Sequence, residues 1–191
     1  GTASKTYEIA TTYTSAELSE LQFTQSADVM YIVHPNHPPA KLSRTGHTTW
    51  SLDDVAFTNG PYLDVNTTAT TLTPSSASTG SRNITASAVT GINGGVGWLA
   101  TDVGREISMN SGKATITART SATIAVATVT TAFTNANAIT DWSLGAWSAT
   151  TGYPRTVSFF EQRLVFGGSS SYPQTIWASE SGLYEEFDVG N

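Results

Sequence analysis

The 191-residue sequence predicts a mainly β protein, with partial β-propeller segments at its two ends and a small antiparallel β-barrel or sandwich domain inserted between them. Three observations carry this expectation. Charged residues make up only 13% of the chain, while Thr, Ser, Ala and Gly are abundant and Lys, Glu and Leu scarce, a composition that favours strands and turns over helices. The stretch from Phe23 to Trp50 is echoed after Arg155. Finally, Asn59-Gly60-Pro61 is strong turn punctuation, and the sequence beyond it becomes rich in Thr, Ser and Ala with little charge. The expected division is 1–61, 62–145 and 146–191, the middle part being inserted at a loop tip of the outer one, where insertion is well tolerated.

Taken in order, Tyr7 to Tyr13 alternates enough for a strand, and Thr14-Ser15-Ala16-Glu17 has the spacing of a capping box. A short helix with Leu18 and Leu21 on one face is expected to follow. Val29 to Val33 is apolar and β-branched, the pattern of a strand. Pro35, Pro38 and Pro39 remove three backbone donors, which predicts a connection there and no strand through it. Lys41-Leu42-Ser43 then starts a short strand, Arg44 to His47 makes a turn, and Thr48-Thr49-Trp50 leaves it, with Trp50 in need of burial. Val55 to Phe57 reads as one more strand before the change of character.

In the middle part, residues 83–86, 106–109, 114–118 and 123–127 are the candidate strands, with Trp98, Val103, Ile107, Ile116, Ile124, Val126 and Phe133 as the expected core. Gly91 to Gly97 reads as a flexible loop, and Asp102 and Arg105 are expected to pair across a turn at Gly104. Asp141 to Trp147 closes the part with two tryptophans. After Gly152-Tyr153-Pro154-Arg155 come a strand over 156–160, a tight turn at Glu161-Gln162, a partner strand over 163–166, a loop, and a strand over 174–178.

The echo aligns Gln25 with Gln162, Val29 with Leu164 or Val165, Pro38 with Pro173, Gly46 with Gly182, and Trp50 with Phe187. Repetition of a β unit that cannot bury its own apolar face is the signature of a propeller or similar array. Two copies do not close a ring. Further blades are therefore expected outside this sequence, and its start at Gly1-Thr2 without Met and its stop at Val189-Gly190-Asn191 point to a piece of a longer protein.

Several function classes are disfavoured. A net charge of −6 argues against tight nucleic-acid binding, which rests on Lys and Arg neutralising phosphates. With no cysteine there is neither a disulfide framework nor thiolate chemistry. No apolar run approaches the roughly 20 residues of a membrane-spanning helix. His34, His37 and His47 are conceivable zinc ligands, but Pro35 between the first two argues against convergence and no Cys or adjacent carboxylate offers a fourth ligand, so no metal is expected. Glu180, Glu185, Glu186 and Asp188 cluster around a turn and read as a solvated edge rather than the facing carboxylates of a glycosidase. Asp53-Asp54 likewise reads as a surface turn. The glycine-rich run lacks the Lys-Ser/Thr of a P-loop and does not fit the dinucleotide fingerprint, so no cofactor is expected. Asn66-Thr67-Thr68 and Asn83-Ile84-Thr85 match glycosylation sequons. Lys41, Arg44 and His47, with Trp50 nearby, form the one local basic cluster. They are candidates for a weak contact to DNA phosphate or to a neighbouring subunit, with a packed blade edge as the preferred reading.

Gln25 to Arg44 (QSADVMYIVHPNHPPAKLSR), Trp142 to Ser148 (WSLGAWS) and Gly152 to Gly168 (GYPRTVSFFEQRLVFGG) resemble the tail nozzle, or tail tubular protein B, family of short-tailed bacteriophages and related prophages. Asp102 to Ile107 (DVGREI) is separately similar to a small β-barrel of ubiquitin-activating enzymes, a likeness of fold alone because the chain has no cysteine for that chemistry. The nozzle resemblance implies a virion structural protein without enzymatic activity, made in the bacterial cytoplasm and carried in the tail. It also implies copies of itself in a ring, contacts with adjacent tail proteins, and transient passage of DNA. The alternative expectation is a carbohydrate-binding or host-receptor adhesion module, with exposed Trp and Tyr of the inserted domain stacking on sugars.

Overall fold

The computed structural model describes residues 7–187. They fall into two compact units, one of residues up to Thr58 and from Gly152 on, the other of Asn59–Thr151. Strands dominate both. No helix among the described residues is long and apolar enough to cross a membrane.

The outer unit holds two antiparallel sheets. The first is a four-stranded meander of β1 (Gln22–Ser26), β2 (Val29–His34), β3 (His37–Gly46) and β4 (Thr49–Asp54) in sequential order. Val29, Tyr31 and Val33 alternate onto one face, and Tyr31 and Val33 are buried there. The second sheet has β11 (Thr156–Phe160), β12 (Arg163–Gly167) and β13 (Ile176–Ala178) in order. Val157, Leu164, Phe166 and Trp177 form its buried face. Phe159, on that face, meets Tyr31 edge-on with ring centres 6.1 Å apart, and Phe57 packs edge-on against both Phe166 and Phe187. The β11–β12 turn is Glu161-Gln162 with φ of 49° and 60°, the left-handed pair that a two-residue hairpin requires.

Two expectations fail in this unit. Tyr7 to Tyr13 forms no strand, and the capping-box residues lead only to one 3-10 turn over Leu18–Glu20, with Leu18 exposed. Only half of the box forms: the Thr14 N–H and hydroxyl both donate to Glu17 Oε2 at 2.8 Å, whereas the Glu17 N–H donates to the Thr14 backbone carbonyl at 3.1 Å. The prolines also do not stop β3. Pro38 and Pro39 lie in a bulge, between the pairs His34↔His37 and Ile32↔Ala40, where two residues oppose one and no ladder donor is needed.

The inserted unit is one six-stranded antiparallel sheet that curls into a half-barrel. Its strands are β5 (Leu72–Pro74), β6 (Gly80–Ala86), β7 (Glu106–Met109), β8 (Gly112–Arg119), β9 (Ile124–Thr131) and β10 (Trp142–Leu144), in the order β10-β7-β8-β9-β6-β5. Residues 59–61 and 146–151 belong with it: Ala146 N–H donates to Pro61 O at 2.8 Å, and the Thr101 and Thr150 hydroxyls are 2.7 Å apart. The concave face pairs large with small side chains across strands, Ile84 with Ala125, Ile116 with Ala127, and Val129 with Ala114. Trp98 fills its centre. Fully burying an Ile of this set contributes roughly 1.5–3 kcal/mol.

Trp98, Ile107, Ile116 and Phe133 are buried as expected, whereas Val103 is exposed and Ile124 and Val126 are only half-buried. The face of β9 is thus the reverse of the expected one, because beside Ile84 and Ile116 there is room inside only for Ala125 and Ala127. The glycine-rich loop is also tied down. Gly97 has φ of +83°, and a Cβ there would lie 2.3 Å from Ala122 O, the carbonyl that accepts the Trp98 N–H.

Candidate functional site

Three places in the outer unit gather side chains capable of chemistry or binding. The first is the basic cluster. Side chains alternate along β3, so Lys41 and Arg44, three residues apart, leave opposite faces of the sheet. Lys41 points to the inner face, where its Nζ lies 2.6 Å from Glu185 Oε1, and the Tyr31 hydroxyl donates to the same oxygen at 2.9 Å. Burial, helped by the Glu185 carboxylate, raises the Tyr31 hydroxyl well above its ordinary value of 10.0. Arg44 lies on the outer face, 3.3 Å from Asp28 Oδ1 and 5.8 Å from the ring centre of the half-buried Trp50. The Trp50 Nε1–H donates to His47 O at 3.4 Å. Arg44, His47 and Trp50 line a groove of about 740 Å³ with Met30 and Leu42, and Glu8 and Asp28 add carboxylates to its wall. Only two of the three expected contact residues therefore share a surface, and its charge is mixed.

The second place is the carboxylate turn. Glu185 is occupied by Lys41 and Tyr31, and the Glu180 N–H donates to Glu186 O at 2.7 Å, so these residues build the turn they sit in. Asp188 lies outside the described residues.

The third place contradicts the argument against a histidine cluster. Pro35-Asn36 is a two-residue turn, so His34 and His37 face each other directly across the β2–β3 hairpin, with ring centres 5.1 Å apart. Directly opposed residues share a face, and Pro35 makes that convergence possible. Glu17 joins them: its Oε1 is 2.9 Å from His37 Nε2, and one ligand atom from each of Glu17, His34 and His37 lies within 4.8 Å of the others. The Thr14 N–H, then the Thr14 hydroxyl and His37, hold the Glu17 carboxyl down to about 2. His34 is fully buried. Its Nδ1 accepts the Asn36 N–H at 3.2 Å, whereas its Nε2 has no hydrogen-bond partner among the described residues and lies 3.7 Å from Glu20 Oε2. The edge of Tyr13 closes over His37 at 5.1 Å. His47 is elsewhere, in the groove.

Sequence reasoning missed Glu17 and Glu20 as members of this cluster. A signal existed, since His-Pro-Asn-His between two β patterns is a hairpin with histidines at its mouth, and the Thr14–Glu17 box marks a carboxylate with a fixed orientation. What the sequence lacked was the packing of that box against the hairpin.

In the inserted unit the sequon residue Asn66 is tied into the fold, whereas Asn83 is exposed on β6. Asn66 Nδ2 donates to the carbonyls of Thr68, Thr70 and Thr140. No protein-family model and no curated protein sequence matches this chain.

Proposed function

We propose that the chain is a structural part of a short-tailed phage or prophage tail, the nozzle at the end of the tail tube, acting by assembly and without catalysis. It would stand in a ring of copies of itself, contact adjacent tail proteins, and border the channel through which DNA passes. One observation carries this reading beyond the sequence motifs. The β1–β2 and β11–β12 hairpins each have a two-residue turn, Ala27-Asp28 and Glu161-Gln162. With these turns aligned, Tyr31 corresponds to Val165 and Ile32 to Phe166. The first hairpin buries Tyr31 and Val33, but the second buries Leu164 and Phe166, the equivalents of Met30 and Ile32. On this turn-based alignment the two hairpins bury opposite faces, as two copies of one unit packed front to back would. Front-to-back stacking continues indefinitely or closes a ring, as propeller blades do, whereas a two-fold sandwich buries the same face of both copies. The four-stranded meander β1 to β4 is also the strand pattern of a blade.

The adhesion reading needs exposed aromatics on the inserted unit. In the inserted unit the aromatic residues are Tyr62, Trp98, Phe133, Trp142 and Trp147; Trp98, Phe133 and Trp142 are buried, and Tyr62 and Trp147 are half-buried. None is fully exposed, which favours the nozzle. Electron microscopy of the protein that carries this chain tests the choice. Ring-shaped oligomers are expected. A monomer that binds one defined glycan on an array would overturn the proposal and restore the adhesion module. Within the ring, Arg44 and His47 are the proposed weak contacts to DNA or a neighbouring subunit, with Lys41 taken up by Glu185.

A further inference from the structure

We propose that Glu17, His34 and His37 form a binding site for a divalent transition-metal ion of the zinc type, which clips the Thr14–Glu20 segment to the mouth of the β2–β3 hairpin. The inference is independent of the nozzle reading. Its first support is geometry. Tetrahedral zinc with bonds near 2.1 Å holds its ligand atoms about 3.4 Å apart. The three groups already lie within 4.8 Å of one another, with one pair at 2.9 Å, so closing on an ion needs shifts of about 1 Å.

The second support is the state of His34. A buried polar atom normally has a partner, and His34 Nε2 has none among the described residues, although the side chain is wholly out of solvent. A metal ion would satisfy it, with Glu20, 3.7 Å away, or a water as the fourth ligand. Third, the carboxylate is oriented for the task. Thr14 holds Glu17 Oε2 with two hydrogen bonds, which turns Oε1 toward the histidines, as an outer partner does for a metal-bound carboxylate. Two imidazoles and a carboxylate suit zinc, cobalt or nickel. Calcium and magnesium require oxygen sets that this site lacks. Glu17 and His37 keep side-chain exposures of 21% and 23%, which leaves a path for the ion to enter.

The hairpin also predicts a signature of loading. Because Nδ1 of His34 accepts the Asn36 N–H, the neutral ring carries its proton on Nε2. Metal binding at Nε2 displaces that proton to Nδ1, and the Asn36 N–H, already at a long 3.2 Å, must turn away. Metal loading and the Asn36 contact therefore compete.

The test uses the full chain, stripped of metal with a chelator, and titrates it with zinc by calorimetry and with cobalt by visible absorption. One zinc per chain is expected, with the intense cobalt bands of a four-coordinate site, no competition from excess magnesium, and the Asn36 amide among the largest shifts in the NMR spectrum. His34 is buried, so its variants could fail to fold, and the partly exposed ligands carry the test. Glu17→Gln and His37→Gln should each weaken zinc binding by about tenfold or more while the circular dichroism of the metal-free chain is unchanged. Absence of saturable binding by the folded chain would overturn the proposal. So would binding that both variants retain, because the ion would then sit at His47 or on surface carboxylates.

Discussion

Each unit contains a cluster of buried polar side chains built around a titratable group, Asp102 with Arg105 in one and His34 in the other, and the two are finished differently. In the inserted unit Asp102 and Arg105 are both buried and 3.2 Å apart. Asp102 Oδ2 accepts from Asn93 Nδ2 and the Leu99 N–H, while Arg105 donates from Nε to Gly145 O and from Nη1 to Asn93 Oδ1. The charges neutralise each other and both carboxylate oxygens are taken, so the network has nothing left to offer a ligand. In the outer unit the buried His34 keeps a nitrogen with no hydrogen-bond partner among the described residues, beside a carboxylate that is already oriented. A completed buried network is architecture, because its parts fix the Gly91–Gly97 loop and the turn before β7. The incomplete one leaves a buried imidazole nitrogen without a hydrogen-bond partner among the described residues, and it is there that we propose the metal site.

The comparison breaks most visibly at Arg105. Replacing it by Met leaves Asp102 buried without its cation, and the expected loss is about 3–5 kcal/mol in urea unfolding followed by tryptophan fluorescence. Replacing both partners, Asp102→Leu with Arg105→Met, should cost less than Arg105→Met alone, since no orphan charge remains. A double variant as unstable as the sum of the singles would show that the pair is not coupled. The next largest effect belongs to the buried Tyr31, whose hydroxyl shares Glu185 with the half-buried Lys41. Tyr31→Phe should cost about 1–1.5 kcal/mol at neutral pH. Its pH dependence has a definite sign. The folded-state pKa of Tyr31 is raised above 10.0, so above pH 10 the unfolded chain releases the proton first, and stability present below pH 10 is lost as the pH climbs further. Tyr31→Phe lacks that group, so its stability between pH 8 and 11 should fall less steeply than that of the parent. Equal slopes would remove Tyr31 from the account.

Much of this was legible in the sequence, and the failures share a cause. The β11–β12 hairpin, β7 and the Asp102–Arg105 pair follow from local pattern, since turn residues and alternation are properties of a few neighbours. Ile124 and Val126 misled because the inside of β9 is decided by the size of Ile84 and Ile116 on the adjacent strands, which the β9 sequence does not contain. Pro38 and Pro39 misled for a related reason, as a bulge exists only relative to a partner strand. In the echo, the turn-aligned offset is 134 residues, from Val29 to Arg163, one to three less than that of the matched residues. The hairpin turns and the matched residues thus give different registers, because sequence matching does not weigh the turns. The histidine cluster needed all of these at once.

The smallest effect is expected at Arg44, where exposure is greatest. Its side chain is 42% exposed and that of Asp28 65% exposed, so the pair should contribute about 0–1 kcal/mol. Its position over Trp50 adds about 0.5–1 kcal/mol at most, part of it from the packed stem of the side chain. Arg44→Ala should therefore lower stability by about 1 kcal/mol and by no more than about 2, and the portion due to Asp28 should vanish between low and high salt, where screening removes it. Urea midpoints at two ionic strengths measure both. If the groove also touches DNA, Arg44→Ala should reduce the salt dependence of DNA retention by about one phosphate contact without changing sequence preference. A stability loss above about 2 kcal/mol would mean that Arg44 is desolvated in the working protein. The groove beside Trp50 would then be a covered interface, and the contrast between buried and exposed charge in this chain would have to be redrawn with Arg44 on the buried side.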